Sequence, residues 1–205
     1  ADRLDALPEL SAVSPFRNIR GNIGDSTSTF TAVDPVAFPQ LANTKVSEGS
    51  FEALEQPSTV MVYRGAAESK NVDVGDTVDV TWQNGQHTTL QVEGLFDDNS
   101  LGSDWFISID TLESVSTQTP SDQFVVAKRA DGVEPDATRA AIAAALTEFP
   151  QATVQTNGEF VDPLPGVIKQ CDIAGGAVTT AAPASPSPTS PSPTSPSPTS
   201  PAPAS

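Results

Sequence analysis

Few side chains in this sequence have the type and spacing to do chemistry. The single histidine, His87, follows an Asn84-Gly85 pair at the rim of an expected hairpin. Acyl transfer would need that imidazole in a cleft, beside a nucleophile and oriented by a carboxylate. A loop-tip histidine is ordinarily surface, and neither a GxSxG nor an HExxH motif accompanies it. Phe96–Asp104 (FDDNSLGSD) suggests calcium, because Asp97, Asn99 and Gly102 fall at loop positions 1, 3 and 6. Positions 5 and 12, which want an oxygen donor and a bidentate glutamate, are Leu101 and Ser108. A solvated turn is the expectation there.

Three other features fare no better. Gly21-Asn22-Ile23-Gly24 has no following lysine and makes no phosphate cradle. Trp105-Phe106 reads either as a partner-docking anchor or as core, and core packing is favoured because Ile107 and Ile109 continue an alternating strand. Cys171 is the only cysteine, so no intrachain disulfide forms; an inert thiol is expected, with intermolecular pairing or lipidation as alternatives. The sequence therefore predicts no catalytic residue, no cofactor-binding residue, no metal ligand and no enzyme.

The elements that would hold these residues point to a mixed α+β domain. Leu4, Leu7 and Leu10 recur at near-helical spacing, with a short strand at Ala12–Val13 and an exposed strand pair with a loop within Ile19–Val33. A turn at Gly49 with one helical turn, a strand at Thr59–Tyr63 and a short helix at Ala66–Lys70 follow. Val78, Val80 and Trp82 alternate with polar residues, as do Leu90 and Val92 beyond Asn84-Gly85. A two-residue Asn-Gly turn would put those apolar sets on opposite faces. An odd connection of three or five residues near Gly85, aligning Val80 with Leu90 and Val78 with Val92, is predicted instead.

Phe124–Ala127 then reads as a strand, followed by a helix with Pro135 in its first turn and Asp136 near its positive end. Ile142, Leu146 and Phe149 form its inward stripe, Pro150 stops it, Ala152–Gln155 starts the closing strand, and Phe160-Val161 ends the globular sequence. From Pro183 onward the repeat SPSPT carries no charge and no large apolar residue, so extended or disordered chain is expected. Thr189, Thr194 and Thr199 in that tail suit an O-glycosylated stalk or a bare linker.

Net charge is −16, from 26 acidic and 10 basic residues, a field that repels nucleic acid and anionic lipid. No apolar run approaches the ~18–20 residues needed to span a bilayer. The start at Ala1, without a signal peptide, suggests a processed protein or a piece of a longer one.

Taken in order, LPELSAVSP (Leu7–Pro15), AVDPVAF (Ala32–Phe38), EGSF (Glu48–Phe51), VDVGDTVDV (Val72–Val80), LQVEGLFDD (Leu90–Asp98) and FVVAKRADGV with AAIAAALTEFPQATV (Phe124–Val154) resemble a family. They are similar to the MacB-like core domain of FtsX-type ABC transporter permeases, above all the versions of Gram-positive, high-GC bacteria. The resemblance covers roughly residues 4–162 and rests on the ordered series, with "VGDTV", a hairpin and "VxGLF" its most specific part.

The resemblance implies a domain over 1–162, followed by a linker and low-complexity tail over 163–205. Within the domain, a β-α-β membrane-proximal lobe would hold 123–161 and an inserted, mostly β lobe 59–109. It implies a place on the extracytoplasmic side of the cell membrane and a cognate ABC ATP-binding subunit as partner, with a second permease copy and an external protein, lipid or peptide substrate as others. It also implies a first strand and a transmembrane helix before Ala1, whose absence would leave an open edge on the membrane-proximal sheet. The leading expectation is a permease domain that couples ATP-driven motion to something outside. The alternative is a secreted or wall-associated binding module on a Pro/Ser/Thr stalk, and an acid-tolerant hydrolase ranks last.

Overall fold

The computed structural model describes residues 1–99, 101–117, 121–149, 152–156 and 176–181. Its longest strand, β1 (Leu10–Ile23), organises the rest by changing partners halfway. Leu10–Phe16 pairs with β8 (Phe124–Arg129), whereas Arg17–Ile23 pairs with β2 (Ser26–Val33). The return into β2 is a two-residue turn with Gly24 at φ 58°, a conformation that glycine adopts without strain.

From β2 the ladder passes to β7 (Trp105–Ser108), β4 (Thr59–Tyr63), β6 (His87–Phe96) and β5 (Thr77–Trp82). β5 then pairs back onto β1 at Gly21–Ile23. These six strands close into a barrel, which removes the free edges an open sheet would carry. Alternate residues fill its interior: Phe30, Val60, Val62, Val80, Trp82, Leu90, Trp105 and Ile107 are all buried there. Gly21 belongs to this lining as well. A Cβ on it would stand 2.5 Å from Val80 Cγ1 and 3.0 Å from the Trp82 ring, so the barrel closes on a residue without a side chain.

One outer flank of the barrel is apolar too. Val33, Met61, Phe96 and Phe106 face α2 (Phe38–Leu41) and a 3-10 turn at Phe51–Glu55, which supply Phe38, Leu41, Phe51 and Leu54. The short β3 (Val46–Glu48) extends β6 on the same side. Two more helices, α3 (Arg64–Lys70) and α4 (Ile109–Val115), follow β4 and β7 directly.

The second lobe is an antiparallel sheet in the order β1, β8, β10 (Gly176–Ala181) and β9 (Ala152–Thr156). Leu4 of α1 (Asp2–Asp5) and Ile142 of α5 (Pro135–Ala145) cover one face, packing on Val13, Val125 and Ala127. Ala12, Phe16 and Val126 on the other face join the cluster on the barrel's flank. Fold class is thus α+β, with a β-α-β lobe beside a mostly β one, and the barrel draws in 17–33 as well as 59–108.

Several expectations change in detail. The hairpin connection is odd, since Trp82 N–H donates to the Gln86 carbonyl and leaves Gln83-Asn84-Gly85 between them. Its register pairs Val78 with Leu90 and Val80 with Thr88, two residues from the expected alignment. A slip of two keeps every side chain on its face, so alternation cannot detect it. The pair within Ile19–Val33 is not an exposed one, because Phe30 and Val33 are wholly buried. The strand through Trp105 ends at Ser108, whose hydroxyl accepts the Thr111 N–H and starts α4 at Ile109.

Two differences concern the β-α-β lobe. α5 ends at Ala145, and Phe149 stands 40% exposed beneath the Arg3 guanidinium instead of on the buried stripe. β8 is paired with β10, which lies within the stretch expected to be linker and tail. Pro150, Phe160, Val161, Cys171 and the threonines at 189, 194 and 199 lie outside the described residues.

Candidate functional site

None of the residues singled out for chemistry meets a catalytic partner among the described residues. His87 Nδ1 lies 2.9 Å from the Thr81 hydroxyl on an exposed face, a cross-strand contact of the hairpin. Asp97 is 2.6 Å from Arg64 Nε, and that guanidinium holds its carboxyl below the usual range. Asn99 Nδ2 donates to Asp104. Among the described residues no group of three or more His, Cys, Asp or Glu side chains could share a metal ion. Gly21–Gly24 is the end of β1 and the turn after it, while Trp105 and Phe106 are core on opposite faces of β7. A cleft of about 290 Å³ between α3 and β6 is lined by Arg64, Glu68, Asn71, Asp73 and Leu95. Its charges are of both signs, and Arg64 is already turned toward Asp97 and Glu48.

The polar residues that stand out are elsewhere, where β1 leaves one lobe and enters the other. Phe16 is the last residue paired with β8, and Arg17 the first paired with β2. Arg17 is only 9% exposed, so its cation needs fixed counter-charges. Asp122, just before β8, accepts from Nε at 2.6 Å, and Glu113 of α4 from a terminal nitrogen at 3.0 Å. The Arg17 pKa is raised: burial works against the charge, but these two carboxylates outweigh it. Asp122 is held below the usual carboxylate range, burial being outweighed by hydrogen bonds from the amino-terminal ammonium and Arg17.

Hydrogen bonds extend the same junction. Asn18 joins the lobes through its side chain, donating to Gln123 Oε1 and accepting from Thr31 Oγ1. Gln123 N–H donates to the Phe16 carbonyl, and the buried Ser14 hydroxyl accepts the Asp34 N–H. Below this polar layer Phe16 stacks on Phe124 at 4.4 Å and meets Phe38 edge-on at 5.6 Å. The junction is therefore one continuous strand, one charge-assisted clamp and one aromatic cluster. Among the described residues it pairs no nucleophile with a base.

Sequence reasoning missed this site. Arg17 is separated from Glu113 by 96 positions and from Asp122 by 105. The one local signal is an arginine directly after Val13-Ser14-Pro15-Phe16, where a surface strand would place polar residues at alternate positions.

A family model described as the MacB-like periplasmic core domain matches residues 1–145. Among solved structures, the periplasmic region of MacB from Actinobacillus actinomycetemcomitans superposes with a TM-score of 0.55 at 16% identity. That match covers 72% of this chain and 71% of the other. The extracellular domain of the noncanonic ABC-type transporter YknZ from Gram-positive bacteria gives 0.53 at 11% identity, over 72% of this chain and 78% of that one. No curated protein matches the chain.

Proposed function

We propose a function from one premise: the chain belongs to the family of MacB-like periplasmic core domains. It serves as the extracytoplasmic part of an FtsX/MacB-type ABC permease. There it passes motion driven by a cytoplasmic ATP-binding subunit to a substrate or partner outside the membrane, without bond chemistry of its own. No described helix is long and apolar enough to cross a membrane, so in this reading the membrane attachment comes from other parts of the permease.

The observation that carries this reading is the junction. β1 belongs to both lobes, and Arg17 ties α4 of the barrel side to Asp122 beside β8. A shift imposed on the β-α-β lobe reaches the barrel through backbone hydrogen bonds and a partly buried ion pair, and packed interfaces of this kind move as bodies. The discriminating experiment is capture of the parent protein from cells, with mild-detergent extraction of membranes and analysis of the culture medium in parallel. Recovery from membranes with an ABC ATP-binding subunit in near-equal amount supports the permease role. Recovery from the medium without such a subunit overturns it, and supports a secreted binding module.

A further inference from the structure

α4 is seven residues long, and each of its last three residues is tied to another element. The Glu113 carboxylate accepts from Arg17 at 3.0 Å, on the strand that the two lobes share. The Val115 carbonyl, which has no donor left within the helix, accepts from Asn84 Nδ2 at 2.9 Å. The Ser114 carbonyl accepts from Gln86 Nε2 at 3.5 Å. Asn84 and Gln86 stand in the connection between β5 and β6, so the tip of that hairpin caps the helix that holds the clamp. The Asn84 carboxamide is itself oriented, because its oxygen accepts the Gln86 N–H at 2.9 Å.

We propose that the tip of the β5–β6 hairpin is a latch on α4 that sets the strength of the Arg17 clamp between the lobes. A helix this short does not hold its last turn without a cap, and Glu113 lies in that turn. With Asn84 seated, Glu113 is presented to Arg17. With Asn84 withdrawn, the turn frays and Asp122 is left as the counter-charge of Arg17. Gln83, Asn84, Gly85 and Gln86 are all exposed and none is charged, so the latch is reachable from outside the fold. The inference goes beyond the transporter reading and does not depend on it.

The test uses the full chain carrying Asn84→Asp. That side chain keeps its shape and its acceptor for Gln86, but an oxygen replaces the nitrogen that faces the Val115 carbonyl. The reporter is the Gln123 amide at the seam, beside Asp122, which donates to the Phe16 carbonyl. Its hydrogen exchange should quicken about three- to tenfold, the size of one hydrogen bond, while the amides of β4 in the barrel keep their rates. Gln83→Glu, which adds a charge to the tip and leaves Val115 its donor, should change neither. In an Arg17→Ala chain, where no clamp remains to be set, Asn84→Asp should have no further effect on Gln123.

Unchanged exchange at Gln123 in the Asn84→Asp chain overturns the proposal. Equal acceleration with and without Arg17 overturns it too, as does equal acceleration by Gln83→Glu. Should the β4 amides also quicken, Asn84→Ala replaces Asn84→Asp, removing the donor without adding a charge. The same comparison in the Arg17→Ala chain then decides, and additive effects there refute the latch.

Discussion

The barrel and the β-α-β lobe solve the same problem, satisfying strand edges, in opposite ways. In the barrel every strand has a neighbour on each side, and β5 pairing with β1 completes the circuit. Its interior is filled by Phe30, Trp82 and Trp105, with Phe30 meeting Trp82 edge-on at 4.9 Å. The lobe is an open sheet that ends at β9 and depends on a distant segment to reach it. The contrast teaches that one half of this molecule is stable by closure, while the other is stable by docking, against the barrel through Phe16 and Val126 and onto itself through β10.

The largest expected effect attacks the closed half. Trp82→Ala empties a fully buried position and should cost about 3–5 kcal/mol, read as a drop in the chemical-denaturation midpoint at unchanged slope. If the barrel is the stable half, native amide exchange is slower in 77–82 than in 152–156, and this substitution reverses the order. Gly21→Ala comes next. The added methyl meets Val80 at 2.5 Å inside the ring, so overpacking of about 1–3 kcal/mol is expected, though the position looks harmless in sequence. A Val80→Ala change in the same chain should recover part of it, and full additivity of the two losses would refute the close approach.

A smaller effect falls on the seam. Arg17→Ala leaves Asp122 and Glu113 without their shared cation, in a setting between exposed and fully buried, for about 1–2 kcal/mol. Loss of that clamp should raise exchange at Phe16 and in β8 more than inside the barrel. The pH dependence has a definite sign. The Asp122 pKa is lowered in the folded chain, so its contribution is fully present above the unfolded value, about 3.9, and fades as pH falls through the folded value. Asp122→Asn should therefore flatten the decline in Tm between about pH 5 and 3 relative to the parent chain. The smallest effect is that of Arg64→Ala, whose pairs with Asp97 and Glu48 are solvent-exposed; melting at physiological salt should not change.

Much of the local architecture was legible because each cue acts over a few residues. Thr59–Tyr63 is the strand its β-branched run implies, and Pro135 begins the helix that its fixed φ suits. The odd hairpin connection followed from alternation, since only odd spacing keeps Val78, Val80 and Leu90 on one face. Where a cue lacked a local anchor it failed. Phe149 fitted the helical period, but α5 stops at Ala145 and Arg3 receives the ring instead. The candidate site was barely legible, because nothing beside Arg17 says that its partner is Asp122, 105 positions away.

By itself the sequence determined the strands at Thr59–Tyr63, Thr77–Trp82, His87–Phe96 and Phe124–Arg129, the helix that Pro135 opens, and a family likeness carried by an ordered series of short segments. Those properties depend on side-chain period and backbone preference, which act within one turn or one hairpin. Only the tertiary structure decided that β1 is shared between two lobes, that six strands close around Gly21, that Arg17 clamps the seam, and that Gly176–Ala181 enters the sheet. Each joins residues far apart in the chain, where what selects a partner is the unpaired edge or buried charge left after everything nearer has packed.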